Sequence, residues 1–168
     1  MKNIIRKGLF TCFIMAITVV NAQQKEEKTA IDNVLTQWHK AAANADFEAY
    51  FSLMTNDGVF IGTDATENWQ NKAFKAFSKP YFDKGKAWSF IALDRNIYIA
   101  KGGNLAWFDE LLNTQMKICR GSGVLQKING QWKIKHYVLS MTIPNDNVTE
   151  VIEIKQDIED ELINKLKG

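Results

Sequence analysis

The sequence predicts an α+β domain, and three observations carry that prediction. Apolar residues in the first half recur at the three-and-four spacing of helices. From Trp88 onward the period changes to two, over four long runs rich in β-branched and aromatic residues. Lys101-Gly102-Gly103-Asn104 and Ile128-Asn129-Gly130-Gln131 join consecutive runs with residues that accept the positive φ of tight hairpin turns. Helices first and an antiparallel meander second make the α+β pattern.

The elements follow in order. Lys2, Arg6 and Lys7 precede the apolar run GLFTCFIMAITVV, and Val20-Asn21-Ala22 places small residues before a polar QQKEEK. Residues 1–22 are therefore expected to be a secretory signal peptide, removed on export to the periplasm or the exterior. A first helix is predicted over 29–45, with Ile31, Val34, Leu35, Trp38, Ala42 and Ala45 on its inner stripe and Thr29 near its start. His39 is read as off that stripe and solvated. Asp46 begins a short helix that turns Phe47, Tyr50 and Phe51 inward. Asn56-Asp57-Gly58 reads as a turn before the strand VFIG, and Thr66 as the cap of a third helix, ENWQNKAFKAFSK, ended by Pro80. After the strands, Asn147 and Glu150 resemble a capping box, and Val151, Ile154, Ile158 and Leu162 stripe a terminal helix. The expected division is a leader over 1–22, a domain over 23–146 and an amphipathic helix over 147–168.

Two-residue turns fix cross-strand partners. The Gly102-Gly103 turn pairs Tyr98 with Trp107 and Arg95 with Glu110, while Asn129-Gly130 pairs Gly123 with His136 and Ser122 with Tyr137. A turn at Asn113-Thr114 sets Trp107 against Arg120, with Asp109 diagonal to it. Alternation then collects Tyr98, Trp107, Asp109, Arg120, Ser122 and Tyr137 on one face. The other holds Cys119, Gly121, Gly123, Ile134, His136 and Val138. Both faces are apolar enough to need cover. Helices shelter one, and a second subunit or the terminal helix the other, so a homodimer is expected.

Composition excludes several functions. Loss of the leader removes three of 21 basic residues and no acidic one, leaving 18 against 19 and a net charge near −1. No basic stripe is available for nucleic acid, and the mature form has no membrane segment. Cys119 is then the sole cysteine, so no internal disulfide can form. His39, Cys119 and His136 lack metal-ligand spacing, and no phosphate loop, dinucleotide fingerprint or serine elbow is present. Neither a metal nor a cofactor is expected.

The stretches FIGTDATENW, AWFDE, CRGSGVL, QWKIKHYVLS and TIPND, in this order over residues 29–146, resemble the nuclear transport factor 2-like superfamily, and within it SnoaL-like domain proteins. The association domain of calmodulin-dependent kinase II is a relative of that branch. The resemblance implies a cone: a curved antiparallel sheet wrapped around N-terminal helices, enclosing a pocket, with frequent dimers through sheet faces. It covers polyketide cyclases, steroid isomerases, dehydratases and non-catalytic scaffolds. Relatives often carry a second histidine where Val138 stands, and kinase association domains an arginine where Asp109 stands. Neither site carries over intact.

The function expected is that of an exported small-molecule binder whose pocket is lined by Tyr98, Trp107, Asp109, Arg120, Ser122, Tyr137 and Trp69. Arg120 and Asp109 would pair there, or serve only as a structural salt bridge. One alternative is a cofactor-independent isomerase, cyclase or dehydratase with Asp109 or Asp64 as general base. Another is a non-catalytic interaction module. His136, opposite Gly123, reads as a core histidine, and Asp64 and Glu67 as chemistry of a helix start.

Overall fold

A computed structural model describes residues 2–168, with side chains from Ala22 onward. Apart from Ala22, the expected leader lies outside the residues whose side chains are described. No helix among the described residues is long and apolar enough to cross a membrane.

Helix α1 (Lys2–Ala43) leads into α2 (Phe47–Ser52), whose N-cap Asp46 accepts from the Ala49 backbone N–H at 3.0 Å. Strands β1 (Met54–Ile61) and β2 (Asn68–Gln70) precede α3 (Asn71–Asp83). The meander is β3 (Ile91–Ile99), β4 (Leu105–Thr114), β5 (Lys117–Ile128) and β6 (Gln131–Met141). Helix α4 (Val148–Lys167) ends the chain. All strands form one sheet in the order β2-β1-β6-β5-β4-β3, antiparallel throughout except where β1 lies parallel to β6. Its inner face packs on α1, α2 and α3.

Four expectations need correction. Asn56-Asp57-Gly58 does not end a strand but lies inside β1, where the register against β6 shifts between Met54 and Val59. The turn formers supply a bulge, which absorbs extra residues without breaking the ladder. Thr66 does not cap α3. Its backbone N–H and hydroxyl both bond Asp64, Asn68–Gln70 pair with β1, and the helix starts at Asn71. Pro80 lies within α3 because Phe82, next to the helix's last residue, is buried against Phe47, Tyr50 and Trp88. That packing outweighs one missing backbone bond. Helix α4 stands off the sheet with no buried residue. Asn147 is its N-cap without a bond to the helix backbone, though its side-chain amide donates to Glu150 at 3.3 Å.

The register of the meander decides which residues share a face. Tyr98 pairs with Trp107 and Arg95 with Glu110, as the Gly102-Gly103 turn requires. The β4–β5 turn is Gln115-Met116, followed by Lys117 at φ 68°, so Trp107 faces Val124 and Arg120 faces Leu111. The β5–β6 register slips between Val124 and Leu125, leaving Lys135 as an extra residue. Beyond that bulge every side chain of β6 changes face. Val124 now opposes His136, Ser122 opposes Val138, and Gly123 opposes Tyr137. Tyr137 therefore points into the core and His136 outward, the reverse of the expected arrangement.

Glycine at 121 follows from this packing. A Cβ there would lie 2.4 Å from the Tyr137 hydroxyl and 2.8 Å from Glu110 Oε1. Gly121→Ala is expected to destabilise the fold by about 1–3 kcal/mol, since an added methyl displaces two buried polar groups. Urea unfolding at neutral pH checks this; an unchanged midpoint would contradict the packing.

Candidate functional site

The inner face carries a buried charge network. Glu110, 1% exposed, is reached from three elements. His39 of α1, 4% exposed, donates from Nε2 to Oε1 at 2.8 Å. The Tyr137 hydroxyl of β6 donates to the same oxygen at 3.2 Å. Arg95 of β3 approaches Oε2 with Nε at 2.8 Å and Nη2 at 2.7 Å, while its Nη1 donates to the Asp32 side chain at 2.8 Å and to Thr36 at 3.1 Å. Burial pushes the Glu110 carboxyl up, but the His39 and Arg95 contacts more than offset it and hold it below its ordinary value. Burial, then the neighbouring Glu110 charge, raises the Tyr137 hydroxyl well above the usual range. Glu110 thus remains an ionised acceptor and Tyr137 a donor.

Above this network the cone has an aromatic hollow of about 190 Å³. Phe60 of β1, Trp69 of β2, Phe74 and Phe77 of α3, and Trp88 and Phe90 before β3 supply its rings. Phe60 stacks on Phe74 at 4.2 Å and Trp69 on Phe77 at 4.7 Å between centroids, which holds these rings in place. Glu67, Thr63 and Gln115 bring polar groups to the lining. Glu67 is half-buried and folds over Gly62, where a Cβ would lie 2.0 Å from its Oε2.

The expected site residues divide between the two faces. Tyr98, Trp107, Asp109, Arg120 and Ser122 share the outer face, and Tyr98 stacks on Trp107 at 5.8 Å with the two rings 44% and 49% exposed. Asp109 accepts from Asn96 at 3.2 Å, and no ion pair joins it to Arg120. Tyr137 lies across the sheet beside Glu110, and Trp69 lines the hollow. Asp64 is exposed on the loop before β2, where hydrogen bonds from the Thr66 hydroxyl and backbone hold its carboxyl below its ordinary value. Cys119 is buried, with Thr114 Oγ1 at 3.5 Å. Among the described residues no cluster of His, Cys, Asp and Glu is arranged to hold a metal ion.

His39 corrects the sequence reading most sharply, because it is buried rather than solvated. Its signal is present: His39 follows Leu35 by four residues and Ile31 by eight, which places it on the apolar stripe.

A family model described as SnoaL-like domain matches residues 31–144. The chain belongs to the SnoaL-like domain family. Solved structures agree on the fold of this SnoaL-like domain. An NTF2-like protein of unknown function from Pseudomonas putida superposes with a TM-score of 0.60 at 16% identity, over 71% of this chain and 89% of that one. The association domain of C. elegans CaMKII gives 0.59 at 22% identity, over 71% and 98%. An NTF2-like protein from Cytophaga hutchinsonii gives 0.58 at 18% identity, over 68% and 98%. A comparison with curated proteins gives no match.

The network makes a pH prediction. Because the folded value for Glu110 is depressed, its contribution to stability is present above about pH 4.5, its ordinary value, and is lost as pH falls through the folded value. Glu110→Gln is expected to cost about 3–5 kcal/mol at pH 7, as it leaves Arg95 buried without its main counter-charge. Urea unfolding from pH 7 to pH 3 should also show a shallower acid limb in the variant. Parallel acid limbs would contradict this.

Proposed function

We propose that this SnoaL-like protein binds a small, largely apolar molecule in the aromatic hollow on the inner face of its sheet. The observation that carries this reading is a hollow walled by rings from four separate elements with few polar groups at its lining, the composition of a ligand site. Its volume limits the ligand. An apolar cavity of about 150 Å³ accepts benzene, so about 190 Å³ suits a single ring with a short substituent and not a fused polycyclic skeleton.

Binding is favoured over proton abstraction. Asp64 and Glu110 are held ionised by their partners, Glu67 at the lining is only half-buried and accepts from the Asp64 backbone N–H, and Asp109 lies across the sheet from the hollow. None has the burial without partners that tunes a carboxylate into a base near neutrality. The outer face has a separate role in this reading. Tyr98, Leu105, Trp107 and Ile118 are exposed there, and α4 does not cover them. A second copy is the proposed cover, in keeping with the association domain among the structural neighbours. Export through a cleaved leader over 1–22 completes the proposal, and the mass of the protein recovered from its host checks it.

Two outcomes are expected. Benzyl alcohol should quench tryptophan emission saturably; Trp69→Ala should weaken binding about tenfold, and Trp107→Ala should leave it intact. Loss of binding in Trp107→Ala alone would move the site to the outer face. By sedimentation the protein should be a dimer, converted to a monomer by Trp107→Arg, which sets a charge in an apolar interface. A monomer at micromolar concentration in the unmodified protein would end the dimer proposal.

A further inference from the structure

We infer that the hollow selects ligands bearing a positive charge, a compact organic ammonium of about single-ring size. This rests on the ligand-binding reading above and adds a charge preference to it. Six aromatic rings line the hollow, and Glu67 is the sole charged side chain among the lining residues. Among the described residues no lysine, arginine or histidine lines it. The faces of aromatic rings attract cations, and a half-buried carboxylate beside them adds a Coulombic term of the same sign. An anionic ligand meets repulsion from both.

Glu67 is placed for this. The β1–β2 connection closes with Gly62 N–H donating to the Glu67 carbonyl at 3.1 Å, which brings residue 67 back alongside residue 62. Glycine at 62 leaves room for the carboxylate, since a Cβ would lie 2.0 Å from Oε2 and 2.8 Å from Cδ. The carboxylate accepts from the Asp64 backbone N–H at 3.3 Å, a long bond. No cation pairs with Glu67 among the described residues. Of the three lysines of α3, Lys75 lies over Phe51, Lys79 lies over Phe47 and beside Asp83, and Lys72 is exposed and makes no ion pair with Glu67. Asp64, on the same loop, adds negative potential at the rim and no counter-charge.

The test uses three probes of matched shape: benzylammonium, benzyl alcohol and benzoate, titrated calorimetrically into the full chain at pH 7. Benzylammonium is expected to bind about tenfold tighter than benzyl alcohol, with benzoate weakest. Glu67→Gln should bring the benzylammonium-to-alcohol ratio of Kd values to within about twofold of unity. Gly62→Ala, which displaces the carboxylate while keeping its charge, should also move that ratio toward unity. Equal binding of the ammonium and the alcohol, or a ratio unmoved by Glu67→Gln, overturns the charge preference and leaves the hollow as a ligand site. Failure of all three probes overturns the ligand site and the charge preference with it.

Discussion

A carboxylate held ionised in the core is the constraint on which this structure depends. Glu110 lies in the middle of β4, facing inward, where an unpaired charge would be prohibitive. Three partners make it tolerable, and they come from α1, β3 and β6. Satisfying one charge therefore fixes α1 across the concave face of the sheet. Arg95 extends the tie to Asp32, about two turns before His39 on the same helix. A second acid does the same at the other end of the contact, where Glu27 accepts from Trp132 Nε1 at 2.7 Å and pairs with Lys127. The aromatic hollow lies beside this anchored contact, walled by β1, β2, α3 and the segment before β3, with Phe60 and Phe90 also touching Tyr137 and His39 of the network.

The same constraint accounts for Gly121 of CRGSGVL, which lies beneath Glu110 and Tyr137. Gly123 answers to close packing, with the His136 carbonyl 2.3 Å and the Phe108 ring 2.9 Å from where its Cβ would stand. Both are places where a side chain on β5 would collide with groups its neighbours place on the inner face. A network that links strands through their side chains needs empty positions as much as filled ones.

Much of the fold was legible because local rules and packing agree. The stripe of α1, the Asp46 cap, the two glycine hairpins and the Arg95–Glu110 pairing all follow from period and turn chemistry. Legibility failed where an extra residue enters a strand. Lys135 carries no turn signal, yet as a bulge it exchanges the faces of His136 and Tyr137, and with them the assignment of Tyr137 to a pocket wall. The β4–β5 connection was misplaced for a related reason. Asn113-Thr114 has turn composition, but Lys117 takes the positive φ and the strands run on to Thr114. The candidate site suffered more than the fold, since Glu67, Trp69 and Phe74 are far in sequence from Trp88, Phe90 and Gln115, and no spacing rule brings them together.

The two surfaces of the sheet therefore divide the work: a buried charge and an aromatic hollow within, an exposed aromatic pair without. The most direct test of that division is a crystal structure of the protein grown with a saturating single-ring ligand. The account predicts ordered ligand density between Trp69, Phe74 and Trp88, with the Glu110 network intact beneath α1. Density beside Tyr98 and Trp107 on the outer face, with the inner hollow closed by side chains, would contradict it.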